Sequence, residues 1–424
     1  MPGNNFISNE YNNKDNKNVL PPLATSNSLS SIWYRTWGGV SSDGGYGIAV
    51  DSSDNIYVTG YTSSFGAGED DIILLKYDKD GLLQWYRRWG GGSWDIGYGV
   101  AVDSLDNVYV VGETSSFGAA LKDIVLLKYN GSGTLLWNCT WGGVNWEFCK
   151  GMAIDSLNNV YLGGYIDYGG GRNIILVKYD QSGIFQWNCT WDENNQDTCF
   201  GVAVDSSDYV YVSGTTTNIE SWDIVLVKYN ENGIQEWNQT WGRDDFTDNN
   251  RGVIVDSSGY VYVTGITTSH TTSDPNMVLV KYDGNGWLQW NRTWGGSGSD
   301  MGEGLAVDSS NNIYIAGGTD SFGAGDFDTV LVKYDANGAQ KWNRTWGGVS
   351  TDGAYGVAVN SLDNVYVVGE TSSFGAGESD MVLVKYGIKT ASTAIQSYNF
   401  FILIGILSIS SYFLIKTILK KKSN

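Results

Sequence analysis

The sequence predicts an all-β protein: a closed seven-bladed β-propeller of four-stranded blades, followed by one transmembrane helix. The first observation behind this prediction is a repeat, because the segment GIAVDSSDNIYVTG at Gly47 returns six more times in variant form. The second is that each copy contains four short strand-like runs in about 50 residues, which is the size of a propeller blade. The third is that the two ends of the repeat array are complementary fragments. The first glycine of the segment recurs at Gly47, Gly99, Gly151, Gly201, Gly252, Gly304 and Gly356.

The first repeat shows how the four strands are predicted. GIAVD and NIYVTG are β-branched runs separated by Asp, Ser and Asn, which is typical of a hairpin. DIILLKY is nearly all apolar, as expected of a strand covered on both faces. LLQWYRRW follows through a turn at Asp78–Gly81 and is the fourth strand.

The ends of the array predict closure into a ring. The chain enters the array at Trp33–Trp37, a fourth strand with no first three before it, and leaves at Lys385–Tyr386, a third strand with no fourth after it. Joining the two fragments completes a seventh blade and removes exposed sheet edges. The last blade is therefore completed by the N-terminal strand, and the propeller is predicted over residues 32–387.

Several motifs resemble a known repeat family. Lys76-Tyr77-Asp78 through Trp85, Trp89-Gly90-Gly91, Val102-Asp103 and Val108–Gly112 are similar to the SBBP (seven-bladed beta-propeller) repeat. The resemblance covers roughly Trp33 to Tyr386. It implies a closed propeller, commonly in secreted or surface proteins, with no general enzymatic activity. The fourth repeat departs from the Gly-Gly pair with Asp192-Glu193, and the fifth with Gly242-Arg243.

The C-terminal segment predicts a membrane anchor. Tyr398–Leu419 is 22 residues long, about 33 Å as a helix, which spans a bilayer core of about 30 Å. A short linker, 388–397, precedes it and a basic tail, 420–424, follows. The three lysines of that tail place it in the cytoplasm and the propeller outside. The alternative is a helix docked on the ring.

The N-terminal segment, residues 1–31, predicts a disordered leader and lacks the apolar run of a signal peptide. The outside location therefore needs a displaced start or another signal, and a tail-anchored cytoplasmic propeller is the alternative. The first 386 residues carry 21 basic and 46 acidic side chains, a net charge of −25. That field excludes nucleic acid as a partner, and a single histidine in the chain argues against histidine catalysis.

Four cysteines form two copies of one pattern, ten residues apart, in consecutive repeats. The pattern predicts Cys139–Cys149 and Cys189–Cys199 disulfides and an oxidising compartment. The alternative is four free thiols at small-residue positions, and the spacing is unusual for zinc. Asn-x-Thr glycosylation motifs occur on the predicted outer strand, where cross-strand hydrogen bonds are the alternative explanation. These motifs begin at Asn138, Asn188, Asn238, Asn291 and Asn343.

Side chains that recur in every repeat are interpreted as structural, and those that do not recur as candidates for binding. The Asp51 and Asp71 series are predicted to cap turns, and the Lys76 series to be buried along the stem. The connections between the second and third strands, and from the fourth strand to the next blade, vary and share one face of a propeller. The candidate binding residues there are Trp94, Trp146, Phe148, Asp192, Glu193, Trp222, Asp244, Asp245 and Phe246, with Arg172, Arg243 and His270 beside them.

The leading functional hypothesis is a membrane-anchored, surface-displayed propeller that binds an extracellular glycan or protein through this face, without catalysis. One alternative is a structural cell-envelope or self-associating scaffold module. The other is a propeller hydrolase, for which a non-recurring pair of carboxylates is needed and only adjacent acids are present. No cofactor or metal is predicted; a calcium ion bridging the face to a glycan is an option that no sequence feature supports.

Overall fold

The structure, a computed structural model, describes residues 30–119, 121–193, 196–217, 221–243, 246–268 and 274–387. These residues form 28 strands and no helix. The strands make seven separate four-stranded sheets. The predicted all-β propeller is therefore confirmed.

Six blades consist of four consecutive strands, and the seventh combines the two ends of the chain. Blade 1 is β2 (Asp43–Val50), β3 (Ile56–Thr62), β4 (Asp71–Tyr77) and β5 (Leu83–Trp89). Blade 2 is β6 (Asp95–Val102), β7 (Val108–Thr114), β8 (Asp123–Tyr129) and β9 (Leu135–Trp141). Blade 3 is β10 (Trp146–Ile154), β11 (Val160–Asp167), β12 (Arg172–Tyr179) and β13 (Phe185–Trp191). Blade 4 is β14 (Thr198–Val204), β15 (Val210–Thr217), β16 (Trp222–Tyr229) and β17 (Gln235–Trp241). Blade 5 is β18 (Asp248–Val255), β19 (Val261–Thr267), β20 (Asn276–Tyr282) and β21 (Leu288–Trp294). Blade 6 is β22 (Asp300–Val307), β23 (Ile313–Thr319), β24 (Asp328–Tyr334) and β25 (Gln340–Trp346). Blade 7 is β26 (Asp352–Val359), β27 (Val365–Thr371), β28 (Asp380–Gly387) and β1 (Ser30–Trp37).

The ring closes through β1. This strand pairs antiparallel with β28, with Tyr34 opposite Val384 and Trp37 opposite Met381. The N-terminal strand thus supplies the outermost strand of blade 7, as the sequence predicts, and covers the edge that β28 would otherwise expose.

The core lies between blades rather than within one sheet. The second and third strands of each blade are buried along nearly their whole length, whereas the outermost strands alternate exposed and half-buried residues. Large side chains from adjacent blades form each cluster; for example, Tyr109 and Val111 of blade 2 pack with Leu162 and Ile175 of blade 3. Each blade therefore buries its faces against two neighbours, and only closure provides both.

The recurring polar residues are structural, as predicted. Asp51 Oδ1 accepts hydrogen bonds from the backbone of Ser53 and Asn55, at 3.0 and 2.8 Å. Lys76 Nζ lies 3.7 Å from Asp51 Oδ2 and donates to the Gly131 carbonyl of the next blade at 3.1 Å. Because six of the seven equivalent lysines donate to a carbonyl of the following blade, they tie the ring together blade by blade.

The innermost strand of every blade has a β-bulge immediately before its repeat glycine. A bulge re-aims the extra residue and bends the strand. The glycine allows neighbouring inner strands to approach, since a Cβ at Gly304 would lie 2.7 Å from the Tyr355 carbonyl oxygen. Seven such glycines surround a central channel of about 190 Å³.

The described residues contain no helix long and apolar enough to cross a membrane. The predicted span Tyr398–Leu419, its linker and basic tail, and most of the predicted leader lie outside the described residues. These predictions stay predictions.

Candidate functional site

The two sets of variable connections lie on one face of the ring. Isolated parallel bridges join the start of a third strand to the connection entering the next blade, at Lys122 with Trp146 and at Trp222 with Thr247. We call this the variable face. The opposite side, formed by the short turns between first and second strands and between third and fourth strands, is the constant face.

The predicted aromatic residues are mostly exposed on the variable face. The exposed fraction is 54% for Trp94, 47% for Trp146, 37% for Trp222 and 39% for Phe246. Phe148 is half-buried. Four large apolar side chains therefore face solvent on a side of the ring where the repeat does not require them.

These aromatic residues fall at separate blade junctions. At the junction of blades 2 and 3, the Trp146 ring lies 6.3 Å from that of Phe148, and Phe148 stacks on Tyr165 at 4.6 Å. The Lys122 ammonium lies 4.9 Å from the Phe148 ring centroid. This aromatic stack capped by cations is the largest non-repeating aromatic feature of the variable face among these candidates.

At the junction of blades 4 and 5, the Trp222 amide donates to the Phe246 carbonyl at 3.3 Å. This brings the second pair of predicted residues together. Arg243 is exposed in the same connection. Asp244, Asp245 and His270 lie outside the described residues.

The acids of the fourth repeat directly follow the outermost strand of blade 3 and make separate contacts. Asp192 Oδ2 accepts a hydrogen bond from Asn173 Nδ2 at 3.2 Å, and the Glu193 amide donates to Asp197 Oδ2 at 3.0 Å. Both Asp192 and Glu193 are exposed. The two acids therefore have no hydrogen-bond partner in common.

The structure reveals a second set of non-repeating residues that the sequence interpretation missed. The bulge residue before each ring glycine lies at the mouth of the channel on the variable face. The seven are Tyr46, Tyr98, Lys150, Phe200, Arg251, Glu303 and Tyr355; all but Tyr98 line the channel, and the Tyr98 ring lies against Lys150. The sequence does mark these positions: the residue before the repeat glycine differs between repeats, whereas the glycine itself recurs in every one.

The buried glutamates near this channel mouth differ in how many cationic partners they have. Glu113, buried on the second strand of blade 2, pairs with both Lys122 and Lys150, each at 2.9 Å. The Lys150 ammonium also lies 3.3 Å from the Tyr98 ring centroid. Burial lowers the pKa of Lys150, although Glu113 opposes this shift.

The acids on the other side of the mouth have fewer partners. Glu303 pairs with Arg251 at 3.4 Å, and burial raises the pKa of Glu303. Burial also raises the pKa of Glu370, an effect opposed by hydrogen bonds from the Tyr61 and Tyr46 hydroxyls. No ion pair to Glu370 exists among the described residues, and its Oε1 atom is buried without a hydrogen-bond partner there.

Tyrosines fill the mouth between these acids. The Tyr46 ring lies 5.3 Å from Tyr98 and 5.0 Å from Tyr355. Burial raises the pKa of all three well above the usual range, and neighbouring glutamates add to the shift. These phenols therefore stay protonated at neutral pH and act as hydrogen-bond donors, not as bases.

A cavity of about 160 Å³ opens between blades 6 and 7 at the same mouth. Its lining includes Met301, Glu303, Gly318, Phe327, Tyr355 and Glu370. In the part of the chain that the structure describes, no three His, Cys, Asp or Glu side chains cluster so as to hold a metal ion. The cavity lining combines two aromatic rings, Phe327 and Tyr355, with two carboxylates, Glu303 and Glu370.

The disulfide prediction is wrong for this structure, in which all four cysteines are free. Cys139, on the outermost strand of blade 2, packs against Tyr179 on the third strand of blade 3. Cys149 lies on the first strand of blade 3. Two interstrand spacings amount to roughly 10 Å, which exceeds the range of about 7 Å between the Cα atoms of a disulfide. Cys189 and Cys199 repeat this arrangement one blade later.

The asparagines of the glycosylation motifs lie on the outermost strands, where Asn138 and Asn188 are exposed and Asn238, Asn291 and Asn343 are half-buried. Their modification stays a prediction. Loss of the disulfides removes the argument from cysteines for an oxidising compartment.

Comparison with known proteins finds SBBP repeats at four sites in the chain. The family model for the beta-propeller repeat matches residues 37–66, 84–118, 192–219 and 289–323. These four matches fall on the seven-bladed ring, so the chain contains SBBP beta-propeller repeats, as the motifs indicate.

Two curated proteins are similar over limited regions. Uncharacterized WD repeat-containing protein L264 of Acanthamoeba polyphaga mimivirus is 21% identical over 201 residues, which cover 36% of this chain and 14% of that protein. Regulatory protein FlaEY of Caulobacter vibrioides is 28% identical over 113 residues, which cover 24% of this chain and 12% of that protein. The chain thus matches a small part of either relative's length.

Solved structures share the fold at low identity. The WD40 domain of Neurospora crassa Pan2 has a TM-score of 0.54 at 10% identity and covers 87% of this chain and 98% of its own. A PL25 ulvan lyase bound to -[GlcA(1-4)Rha3S]- has a TM-score of 0.53 at 12% identity and covers 82% of this chain and 95% of its own. Propellers of this kind thus include enzymes and WD40 modules, and the likeness shows the fold alone.

Proposed function

We propose that this chain is a membrane-anchored, surface-displayed propeller that binds a glycan or protein ligand through its variable face and is not an enzyme. The observation that carries the proposal is the position of the non-repeating residues. Aromatic and charged side chains that the repeat does not need are concentrated at the blade junctions and channel mouth of the variable face.

The chemistry of this face suits binding. Exposed Trp146 and Trp222 offer flat apolar surfaces for a sugar ring or for apolar side chains of a protein. Lys122 over Phe148 and the acids of the channel mouth add polar groups that fix the orientation of a ligand. Such sites combine apolar area with a few convergent polar groups.

The path of the chain supports display of this face. β28 runs from Asp380 on the variable face to Gly387 on the constant face. An anchor at 398–419 would therefore join the ring at its constant face through the linker 388–397. The variable face would then point away from the membrane.

The acids of the channel mouth are where the enzymatic alternative would act. One structural neighbour is a polysaccharide lyase, so an enzyme is the alternative to test. Lyase or hydrolase chemistry needs a proton acceptor poised near neutral pH. The mouth tyrosines have raised pKa values and stay protonated. Burial raises the pKa of Glu303 and Glu370, so these are the acids that an enzyme would use there.

The test is binding of the full-length chain to glycan and surface-protein arrays, with variants at the two aromatic junctions. Trp146→Ala should weaken binding if the ligand contacts blades 2 and 3, and Trp222→Ala with Phe246→Ala if it contacts blades 4 and 5. The combined variant should abolish binding without unfolding the ring, because these side chains are exposed and outside the core.

Trp287→Ala is the matched control. Trp287 is 72% exposed and lies in a turn of the constant face, so its loss should leave binding unchanged. Retained binding by the combined variant would contradict the choice of face. Concentration-dependent self-assembly without a saturable ligand would favour the scaffold alternative, and turnover of a bound glycan would favour an enzyme.

A further inference from the structure

The repeat places two equivalent glutamates at the channel mouth in opposite circumstances. Glu113 of blade 2 and Glu370 of blade 7 both follow a Val-Val-Gly sequence on the second strand. Each stands beside a bulge tyrosine of its own blade, Tyr98 in one case and Tyr355 in the other. The surroundings of the two glutamates can therefore be compared within one molecule.

At Glu113 the chain supplies two ammonium groups. Lys122 from the same blade lies 2.9 Å from Oε2, and Lys150 from the next blade lies 2.9 Å from Oε1. The two ammonium groups also rest on aromatic rings, Lys122 on Phe148 and Lys150 on Tyr98. A buried carboxylate is stable in such a setting because charge-assisted bonds compensate for its lost hydration.

At Glu370 both ammonium groups are absent. The residue equivalent to Lys122 is Ser379, and the residue equivalent to Lys150 is Tyr46. Phe148 is replaced by Gly44, and Glu370 Oε1 lies over this glycine, 2.1 Å from where a Cβ would be. Oε1 of both glutamates is buried without a hydrogen bond of good geometry among the described residues. Glu113 Oε1 nevertheless has the Lys150 ammonium at 2.9 Å, whereas the Glu370 carboxylate has only the Tyr61 and Tyr46 hydroxyls.

The aromatic surroundings of an ammonium site are nevertheless present. Tyr46 packs against Tyr61 at 5.8 Å and Tyr355 at 5.0 Å. The cavity of about 160 Å³ between blades 6 and 7 is lined by Glu370, Tyr355 and Phe327. It is several times the volume of roughly 30 Å³ that one water occupies in the liquid. The cavity therefore has room for a ligand group larger than water.

We propose that Glu370 binds the primary ammonium group of a ligand, in place of the lysines that neutralise Glu113. The carboxylate supplies the charge, and Tyr355 and Phe327 of the cavity lining supply rings for cation–π contact. The ligand is a lysine side chain of a protein or an amino sugar of a glycan, which share this chemistry. The inference rests on the proposed binding function and names one group that the site recognises.

The experiment is calorimetric titration of the full-length chain with two matched pairs of probes. N-α-acetyl-lysine methylamide is compared with its norleucine analogue, and glucosamine with N-acetylglucosamine. We expect saturable binding of at least one amine and none of its uncharged analogue. The amine that binds more tightly distinguishes a protein source from a glycan source.

Three variants assign the binding to Glu370. Glu370→Gln should weaken amine binding about ten-fold or more, since one charge-assisted bond is lost. Ser379→Lys supplies the ammonium that Lys122 supplies at Glu113, and it should block the site from within. Glu69→Gln removes an exposed acid of the same face outside the cavity and should leave binding unchanged.

Two results would overturn the inference: no saturable amine binding by the unmodified chain, or equal amine affinity in the chain and its Glu370→Gln variant. Neither result bears on the variable face itself. If the array ligand is still bound through Trp146 and Trp222, the proposed function stands and only the ammonium site fails.

Discussion

Replacing one glycine of the channel ring tests how the seven blades pack. A Cβ at Gly304 would lie 2.7 Å from the Tyr355 carbonyl oxygen, 3.0 Å from Gly356 Cα and 3.1 Å from Val357 N. All three atoms are backbone of the next blade and cannot rotate away. Gly252 occupies the same place one blade earlier, but a Cβ there would meet only the Glu303 carbonyl oxygen at 3.2 Å and a threonine methyl at 3.8 Å.

The two positions therefore form a matched pair. Neither glycine has a positive φ, so backbone strain is the same for both alanines. Overpacking against fixed backbone costs about 1–3 kcal/mol, whereas glycine to alanine stabilises by about 0.4–1 kcal/mol through the unfolded chain. We expect Gly304→Ala to lower the free energy of unfolding by about 1–2 kcal/mol, and Gly252→Ala to change it by less than about 0.5 kcal/mol.

The assay is guanidinium denaturation of the full-length chain, followed by tryptophan fluorescence. Equal slopes for the two variants would show that the shift in midpoint reports stability. Equal shifts at the two positions, or a larger loss for Gly252→Ala, would refute the steric account of the ring.

Three further outcomes follow from contacts in the ring. Burial raises the pKa of Glu370 above its ordinary 4.5, so the stability it contributes is complete below that pH and is lost as pH rises through the folded-state pKa. Denaturation from pH 4 to 8 should thus show Glu370→Gln gaining stability over the unmodified chain, and a constant difference would contradict this. Lys333 pairs at 3.2 Å with Asp308, whose side chain is 3% exposed, so Lys333→Met should cost about 3 kcal/mol. Lys341→Met, which removes an exposed pair, should cost less than about 1 kcal/mol; equal losses would argue against burial as the cause. A thiol assay on the unfolded chain without reductant should find four free cysteines, and fewer would restore the disulfide prediction.

The fold was predictable because several kinds of sequence signal repeat with the same period. The strand pattern, the turn residues and the glycine of Gly47 recur in step, so each copy supports the same blade. Closure was predictable from Trp33–Trp37. This segment resembles the fourth strands of the repeats but has no first three strands before it, so it can only complete the last blade of a ring. Local and global signals agree, as expected of a consistent sequence.

The channel mouth could not be predicted because it depends on a β-bulge. In a regular strand, side chains alternate between the two faces of the sheet, so the positions of Tyr46 and Lys150 along the strand would place each of them on one of these faces. The bulge adds a residue and places these side chains at the channel mouth. Nothing in a run such as Gly-Gly-Tyr-Gly marks that irregularity.

The disulfide prediction failed for a related reason. Ten residues separate Cys139 from Cys149, but the chain between them crosses from the outer edge of one blade to the inner edge of the next. The two cysteines are close along the chain but not in space. In a propeller the connection between blades spans nearly the whole blade width, so residues on either side of it are far apart.

The location of the ring tests the central claim most directly, because a surface-displayed binding module must be reachable from outside. Intact cells producing the full-length chain are treated with protease and blotted for the propeller, with permeabilised cells as the control. The account predicts that the ring is cleaved or released from intact cells while a cytoplasmic marker survives. Protection of the ring until the membrane is permeabilised would contradict surface display and place the variable face in the cytoplasm.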